Sequence, residues 1–212
     1  MTKSYLGTPV LVEVDVEVAA GSLTVISGPS GSGKTTLLNL VAGLDLPDDG
    51  EIVVGGTDVV ALPAQQRERF RARHGHVFQR SGLLGGLTLR ENIESPHLLT
   101  GHPTDPGWVR HLVGSLGIAD VLDSRAGRVS GGQAQRAALV RCLAHRPDVV
   151  FADEPTASLD TASKHLIHAL LRDISEQEGT TVLMVSHDEI STGYATAQVH
   201  LLDGRIQDGG TP

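Results

Sequence analysis

Eight residues near the start of the chain constrain its fold more than any other feature. They are GPSGSGKT, from Gly28 to Thr35, and they fit the pattern G-x-x-x-x-G-K-[ST]. LTVIS at 23–27 precedes them with the character of a buried strand, and KTTLLNLVAG follows with helical spacing and a glycine stop. A strand, a glycine loop and a helix in this order point backbone N–H groups at phosphate oxygens. We therefore predict an α/β fold with a phosphate-binding loop, rather than a merely glycine-rich turn.

The segment VVFADE supplies a second half for such a site. Its apolar residues predict a buried strand that delivers Asp153 at its carboxyl end, where ligands bind in open α/β sheets. We expect Lys34 to reach the β- and γ-phosphates, and Thr35 and Asp153 to hold Mg²⁺. Glu154 is placed to polarise an attacking water. Two adjacent acids also occur in solvated turns, but the phosphate loop favours the catalytic interpretation.

Strand and helix patterns alternate along the chain around one long interruption. From residue 80 to about 143 we predict helical pieces only, with a loop at TGHPTDPG, residues 100–107. Helices are expected at AQQRERFRAR and over 161–178. Further strands are expected at VLVEVDVEV (10–18), on both sides of the Gly-Gly turn in EIVVGGTDVV, at HGHVFQ, at DVVFADE, at TTVLMVSH and in a terminal hairpin turning at Asp203-Gly204.

Composition narrows the possible functions. The chain has 17 Lys and Arg against 25 Asp and Glu, and this acidic balance argues against non-specific nucleic-acid binding. The densest basic run, Arg67 to Arg73, contains a glutamate and is typical of a solvated helix face. The single cysteine, Cys142, excludes an internal disulfide and suits helix packing in a reducing compartment. No segment has signal-peptide or membrane-span character, so we expect a cytoplasmic protein that does not cross a membrane alone.

Five motifs in order resemble those of ATP-binding cassette (ABC) ATPases, and the resemblance covers essentially the whole chain. They are GPSGSGKTT, VFQ ending at Gln79, SGGQAQR beginning at Ser130, VVFADEPTASLD, and VSHD with His187. The resemblance implies a P-loop NTPase core with a parallel sheet, a small antiparallel β part and a helical insertion. It also implies one ABC ATPase domain over 1–212, with the core at about 1–79 and 144–212 and the helical subdomain at about 80–143.

The resemblance assigns roles to individual residues. It makes Gln79, Glu154 and His187 catalytic, Gln79 also touching Mg²⁺ and sensing the transport partner, and it makes 158–160 a loop that crosses the dimer interface. Tyr5 lies about where the family stacks an aromatic side chain on adenine. The residues assigned to ATP within one chain are Tyr5, Gly28, Pro29, Ser30, Gly31, Ser32, Gly33, Lys34, Thr35 and Thr36. Those assigned to the nucleotide of a second copy are Ser130, Gly131, Gly132, Gln133 and Asp160.

The family pattern also implies cofactors and partners. ATP and Mg²⁺ are the expected ligands, and an ATP-clamped homodimer on the inner face of the cell membrane is expected to drive an integral-membrane permease. AGLDLPDDGEI, FQRSGLLGGLTLRENI and ADEPTASLDTAS resemble the cassettes of lipoprotein-release, macrolide-export and FtsE-like systems. A lever-type exporter or lipoprotein-release system is therefore the main hypothesis. The alternative is an FtsE-like regulatory switch that acts on a membrane partner without transport.

Some positions depart from the pattern or stay outside it. The segment before Ser130, DSRAGRVSGG, is about four residues shorter than usual in the family, with Val129 and Ala134 in place of commoner residues. This puts the approach of the helical subdomain in doubt. His74 with His76, and His165 with His168, have metal-like spacing but no third ligand in evidence, so solvated or capping roles are favoured. Trp108 is expected to anchor helix packing.

Overall fold

The computed structural model describes residues 1–100 and 104–207, and for residues 98–100 it describes the backbone alone. The strands are β1 (Lys3–Tyr5), β2 (Thr8–Leu11), β3 (Leu23–Ser27), β4 (Val53–Val54), β5 (Thr57–Asp58), β6 (Gly75–Val77), β7 (Val149–Asp153), β8 (Thr181–Val185), β9 (Ala197–Leu202) and β10 (Arg205–Gln207). The helices are α1 (Lys34–Val41), α2 (Ala64–Arg73), α3 (Leu89–Thr100), α4 (Pro106–Ser115), α5 (Gly131–Leu143), α6 (Thr161–Glu178) and α7 (Glu189–Tyr194), with 3₁₀ turns at Ala119–Val121 and Ala126–Arg128.

A six-stranded sheet in the order β10-β9-β3-β8-β7-β6 forms the centre of the fold. Neighbours from β9 to β6 pair in parallel, and β10 closes the edge as an antiparallel hairpin with β9. The pairs β1-β2 and β4-β5 form two small antiparallel sheets. The mixture matches the predicted α/β architecture with a small antiparallel part.

Alternate residues of the central strands enter two separate apolar clusters. Val150 and Ala152 of β7 pack with the α3–α6 side, whereas Val149 and Phe151 pack with the side that holds α1 and Phe70 of α2. This alternation is what a pleated strand covered on both faces requires. Because the parallel strands share one direction, the residues after β3, β6, β7 and β8 emerge at the same edge of the sheet.

Several predicted elements are confirmed. The structure has β3 over LTVIS, α2 over AQQRERFRAR and α6 over Thr161–Glu178. The hairpin turns at Asp203 and Gly204, both with positive φ. In the described part of 80–143 there are helices and turns but no strand. Trp108 lies buried in α4 and donates its indole N–H to the Leu143 carbonyl at 2.9 Å, so it does anchor helix packing.

The strand predicted over 10–18 is wrong beyond Leu11, where β2 ends. Val14 is buried and its acidic neighbours are exposed, so the alternating sequence predicted burial correctly. The backbone beyond Leu11 makes only isolated bonds, such as Val14 N–H to the Met1 carbonyl at 2.9 Å. A strand needs a continuous hydrogen-bonding neighbour as well as an alternating pattern.

The loop predicted over 100–107 is wrong at its end, because α4 already begins at Pro106. Asp105 caps that helix by accepting a hydrogen bond from the Gly107 N–H at 2.8 Å. Thr100 is the last residue of α3, and 101–103 lie outside the described residues. Among the described residues, no helix is long and apolar enough to span a membrane.

Candidate nucleotide-binding site

The glycine loop between β3 and α1 is held against the C-terminal hairpin. A Cβ on Gly28 would lie 2.0 Å from the Leu201 carbonyl oxygen, and one on Gly33 would lie 2.9 Å from the Val10 carbonyl oxygen. Both glycines also have positive φ, 144° and 101°. The Ser32 carbonyl accepts a hydrogen bond from the Gly204 N–H at 3.2 Å. Only glycine fits these two positions, and the loop has a rigid back wall.

The front of this loop opens into a cavity of about 510 Å³. Lys34 begins α1, and its ammonium group donates to the carbonyls of Gly28 and Pro29 at 3.0 and 2.7 Å. The Ser32 hydroxyl is buried without a partner among the described residues, and Ser32 does not line the cavity. A cation and a helix N-terminus at one cavity fit a phosphate chain. The residues lining the cavity are Val10, Gly28, Ser30, Gly31, Gly33, Lys34, Thr35, Thr36, Glu154 and His187.

Asp153 and Thr35 meet at the side of the loop. The Thr35 hydroxyl donates to the Asp153 carboxylate at 3.2 Å. Burial raises the pKa of Asp153, opposed by that hydrogen bond. Two adjacent hard oxygen ligands, from the first turn of α1 and from a strand end, are the donor set that Mg²⁺ prefers, and a bound cation would favour the charged carboxylate. The pair therefore fits the predicted metal role.

Glu154 lies at the centre of the predicted catalytic group. The His187 Nδ1 lies 2.8 Å from Glu154 Oε1, and the Gln79 side-chain amide donates to Oε2 at 3.2 Å. Glu154 has a φ of 46°, unusual for a residue with a side chain, and its N–H donates to the Val185 carbonyl at 3.0 Å. The backbone turn directs the carboxylate toward the loops that follow β6 and β8. Three residues separated in sequence thus meet at one point.

Tyr5 lies beside the phosphate loop but does not line the cavity. Its hydroxyl donates to the Asp45 carboxylate at 2.6 Å, and this bond is the main cause that raises the pKa of Tyr5. Its hydroxyl also interacts with the Thr36 side chain, and Thr36 does line the cavity. The ring is about half exposed at the outer rim of the site. An exposed ring at that rim is compatible with base stacking.

The signature residues lie away from this cavity. Ser130 caps α5: its hydroxyl accepts from the Gln133 N–H at 3.2 Å, and the Gln133 side chain accepts from the Ser130 N–H at 2.9 Å. This capping box satisfies the Gln133 N–H, whereas the N–H groups of Gly131 and Gly132 at the start of α5 have no partner inside the helix. Asp160 likewise caps α6 through the Ser163 N–H at 2.9 Å. None of Ser130, Gly131, Gly132, Gln133 and Asp160 lines the cavity.

The histidine pairs contact protein atoms. His74 Nδ1 and His76 Nε2 lie 2.7 and 3.2 Å from the carbonyls of Phe70 and Arg71. His165 contacts the Tyr194 hydroxyl and His168 the Thr156 hydroxyl, at 3.0 and 3.3 Å. Among the described residues there is no group of three or more His, Cys, Asp or Glu suited to hold a metal ion.

Sequence reasoning missed three residues near the site. Val10 lines the cavity although its segment gave only a strand signal. Asp188 follows the switch histidine and caps α7, and it pairs with Lys164 of α6. An Asp directly before a helical segment was a detectable capping signal. The pairing with Lys164 had no local signal because it joins residues 24 positions apart.

Comparisons with known proteins agree with this geometry. The family model described as ABC transporter matches residues 11–157. The lipoprotein-releasing system ATP-binding protein LolD of Anaeromyxobacter dehalogenans is 43% identical over 203 residues, covering 94% of this chain and 85% of LolD. The bacitracin export ATP-binding protein BceA of Halalkalibacterium halodurans is 36% identical over 200 residues, covering 93% of this chain and 79% of BceA. The dimeric post-hydrolysis structure of the cassette MJ0796 bound to ADP and Pi has a TM-score of 0.89 at 30% identity, covering 97% and 94%.

Proposed function

The chain belongs to the ABC transporter family, and we propose that it drives an export or lipoprotein-release permease as one half of an ATP-dependent dimer. It is an ATP-binding subunit with ATPase activity, so the suspected family, fold class and enzyme class are all confirmed. The observation that carries the proposal is the contact of Glu154 with His187, both of which line the phosphate-loop cavity. An acid and a histidine at that position would face the end of a phosphate chain held by Lys34.

Within one chain, the loop residues and α1 would hold the phosphates of ATP. Thr35 and Asp153, with Gln79 nearby, would hold Mg²⁺, which when bound neutralises phosphate charge. A water attacks the γ-phosphorus, the bond from that phosphorus to the bridging oxygen breaks, and ADP and inorganic phosphate leave. Glu154 orients the water and accepts its proton, while His187 and Gln79 fix the carboxylate between them. Tyr5 would stack on adenine at the rim.

The second half of each nucleotide site would come from another copy of the chain. The residues assigned to that role begin α5 and α6, and Gly132 lies beside Leu159, since a Cβ on Gly132 would lie 3.4 Å from Leu159 Cδ2. They therefore form one neighbourhood outside the chain's own cavity. Ser130 and Gly132 would close on the γ-phosphate of the partner's ATP, helped by the positive end of α5. The dimeric MJ0796 cassettes support this arrangement.

The membrane partner would set what is moved. Relatives named for lipoprotein release, macrolide export and bacitracin export support a lever-type exporter or lipoprotein-release permease. The subunit would then sit at the inner face of the membrane through that permease. Co-purification of the tagged chain tests the assignment. A partner with about four spans and a large extracytoplasmic domain is expected, whereas one without a substrate-handling domain would favour the regulatory switch.

Glu154→Gln tests the chemistry. The amide keeps the shape but accepts no proton, so the variant should bind ATP, form a stable dimer and hydrolyse at least about 100-fold more slowly. Light scattering with and without ATP measures the dimer, and phosphate release measures turnover. A variant that stays monomeric at saturating ATP and turns over at the normal rate would refute the proposal.

A further inference from the structure

One face of α6 touches the residues that follow both catalytic groups. Lys164 and His168 lie four positions apart, so they project from the same side of the helix. His168 is fully buried, and the Lys164 side chain is 23% exposed. Both residues face the turns after β7 and β8, where His168 contacts Thr156 and Lys164 contacts Asp188.

Lys164 fixes the turn that carries His187. Its ammonium group donates to Asp188 Oδ2, and the other Asp188 oxygen accepts from the Ile190 N–H at 3.0 Å. The Asp188 N–H donates to the Ser186 hydroxyl at 3.1 Å. The residues on both sides of His187 are therefore held, while the imidazole itself is 62% exposed. A shift of Asp188 would move that ring.

His168 fixes the turn that carries Glu154. Its Nε2 lies 3.3 Å from the hydroxyl of Thr156, which is 2% exposed. Thr156 sits inside the turn closed by the Ala157 N–H bond to the Glu154 carbonyl at 3.2 Å. The Tyr194 ring stacks on His168 at 5.8 Å from the α7 side. The turn after Glu154 thus rests on a fully packed imidazole.

We infer that Lys164 and His168 are positioning residues, which together hold Glu154 and His187 at their 2.8 Å contact. Residues of both turns share a second cavity of about 410 Å³ with Lys164, namely Glu154, Thr156, His187 and Asp188. Removing one partner of the largely buried Lys164–Asp188 pair leaves an uncompensated charge, and the switch turn then relaxes. The inference rests on the proposed roles of Glu154 and His187. It adds that α6 sets their separation.

Lys164→Met tests this inference, since it keeps the length of the side chain and removes its charge. We expect kcat for ATP to fall about 10- to 100-fold, the effect of misplacing a catalytic group by about 1 Å, with KM changed less than about twofold. Lys164→Arg should restore most of kcat because the cation returns. The double variant Lys164→Met with Asp188→Asn should be less impaired than the two single effects multiplied.

Glu176→Gln is the matched control, because it breaks the exposed Arg172–Glu176 pair on the same helix. It should leave kcat unchanged. Unchanged kcat in Lys164→Met, a loss carried by KM alone, or no rescue by arginine would overturn the inference. Glu154→Gln separates the two levels of argument: if it hydrolyses ATP normally, the proposed function fails; if it is inactive while Lys164→Met is normal, only the positioning role fails.

Discussion

At single positions of the nucleotide site, the local backbone restricts which type of residue fits. Gly28 faces the Leu201 carbonyl so closely that even a methyl group would overlap it. Glu154 presents the opposite case, since it keeps a left-handed backbone although it carries a side chain. Such strain persists only where the surroundings over-determine the conformation. At Gly28 the backbone decides which residue fits, whereas at Glu154 the proposed chemistry of the side chain does.

Gly28→Ala should therefore damage the site and the fold together. We expect a loss of about 1–3 kcal/mol in the free energy of unfolding from overpacking, and loss of ATP binding. Gly114→Ala is the control, because α4 leaves open space at Gly114 and its φ is not positive. It should stabilise by up to about 1 kcal/mol through helix propensity. Urea unfolding with nucleotide titration measures both, and equal stability of the two variants would contradict the overlap.

His76 should make stability depend on pH. Burial lowers its pKa to about 4 despite its contact with the Arg71 carbonyl. In the unfolded chain the pKa of this histidine is near 6.5, so the unfolded state takes up a proton more readily than the folded state. The free energy of unfolding therefore falls by up to roughly 3 kcal/mol as the pH drops from about 6.5 to about 4. His76→Phe should flatten part of this fall in urea unfolding between pH 7 and 4.5. His168, with a pKa also lowered to about 4, would retain its own share.

Elements show where sequence patterns suffice and where they fail. The strands β3 and β7 follow from continuous apolar runs, which suit burial on two faces, and α6 follows from amphipathic spacing. The segment after Leu11 has the pattern of a strand but lacks a continuous partner, which no local pattern encodes. Pro106 stands in the first turn of α4, directly after the Asp105 cap. Proline is common at that helical position, but the loop prediction counted it as a loop residue. The side of the site formed by one chain was predictable, whereas the Lys164–Asp188 pair needed the fold.

Ser130→Arg tests whether the N-terminus of α5 faces the nucleotide of a second chain. It removes the capping hydroxyl and adds bulk where the proposed partner's phosphate would sit. ATP binding to the monomer should stay within about threefold of normal, while hydrolysis and dimerisation are lost. Ser130→Ala loses the same cap, costing about 1 kcal/mol, without the bulk. It should therefore match the arginine variant in stability but still dimerise. Equal dimerisation of the two variants would show that Ser130 does not face a partner.

At the scale of the whole molecule, the two proposed half-sites lie apart. The phosphate loop and Glu154 line one cavity, with Asp153 bonded to Thr35 beside it, while the residues that begin α5 and α6 do not line that cavity. Two apolar clusters on either side of a buried sheet keep these regions in a fixed relation. Under the proposed function, one chain therefore cannot complete a nucleotide site alone, and hydrolysis is a property of a pair of molecules.

Mixing two inactive variants tests this arrangement. Lys34→Ala removes the phosphate cation and Ser130→Arg blocks the trans surface, so each variant alone should be inactive. A mixed dimer has one intact site, formed by the loop of the Ser130→Arg chain and the signature of the Lys34→Ala chain. An equal mixture should recover turnover, up to about half of the wild-type rate, because neither variant pairs with itself and each mixed dimer has one working site. A mixture as inactive as its components would show that the sites are not shared.

The back wall of the phosphate loop has a consequence for how the protein is made. Residues 28–35 leave the ribosome well before Leu201 and Gly204, which brace them. The nascent loop therefore has no template for its strained backbone until that later segment has been translated. Capture of ATP should begin only after the hairpin of β9 and β10 has emerged, so nucleotide binding follows the folding of the loop and does not assist it.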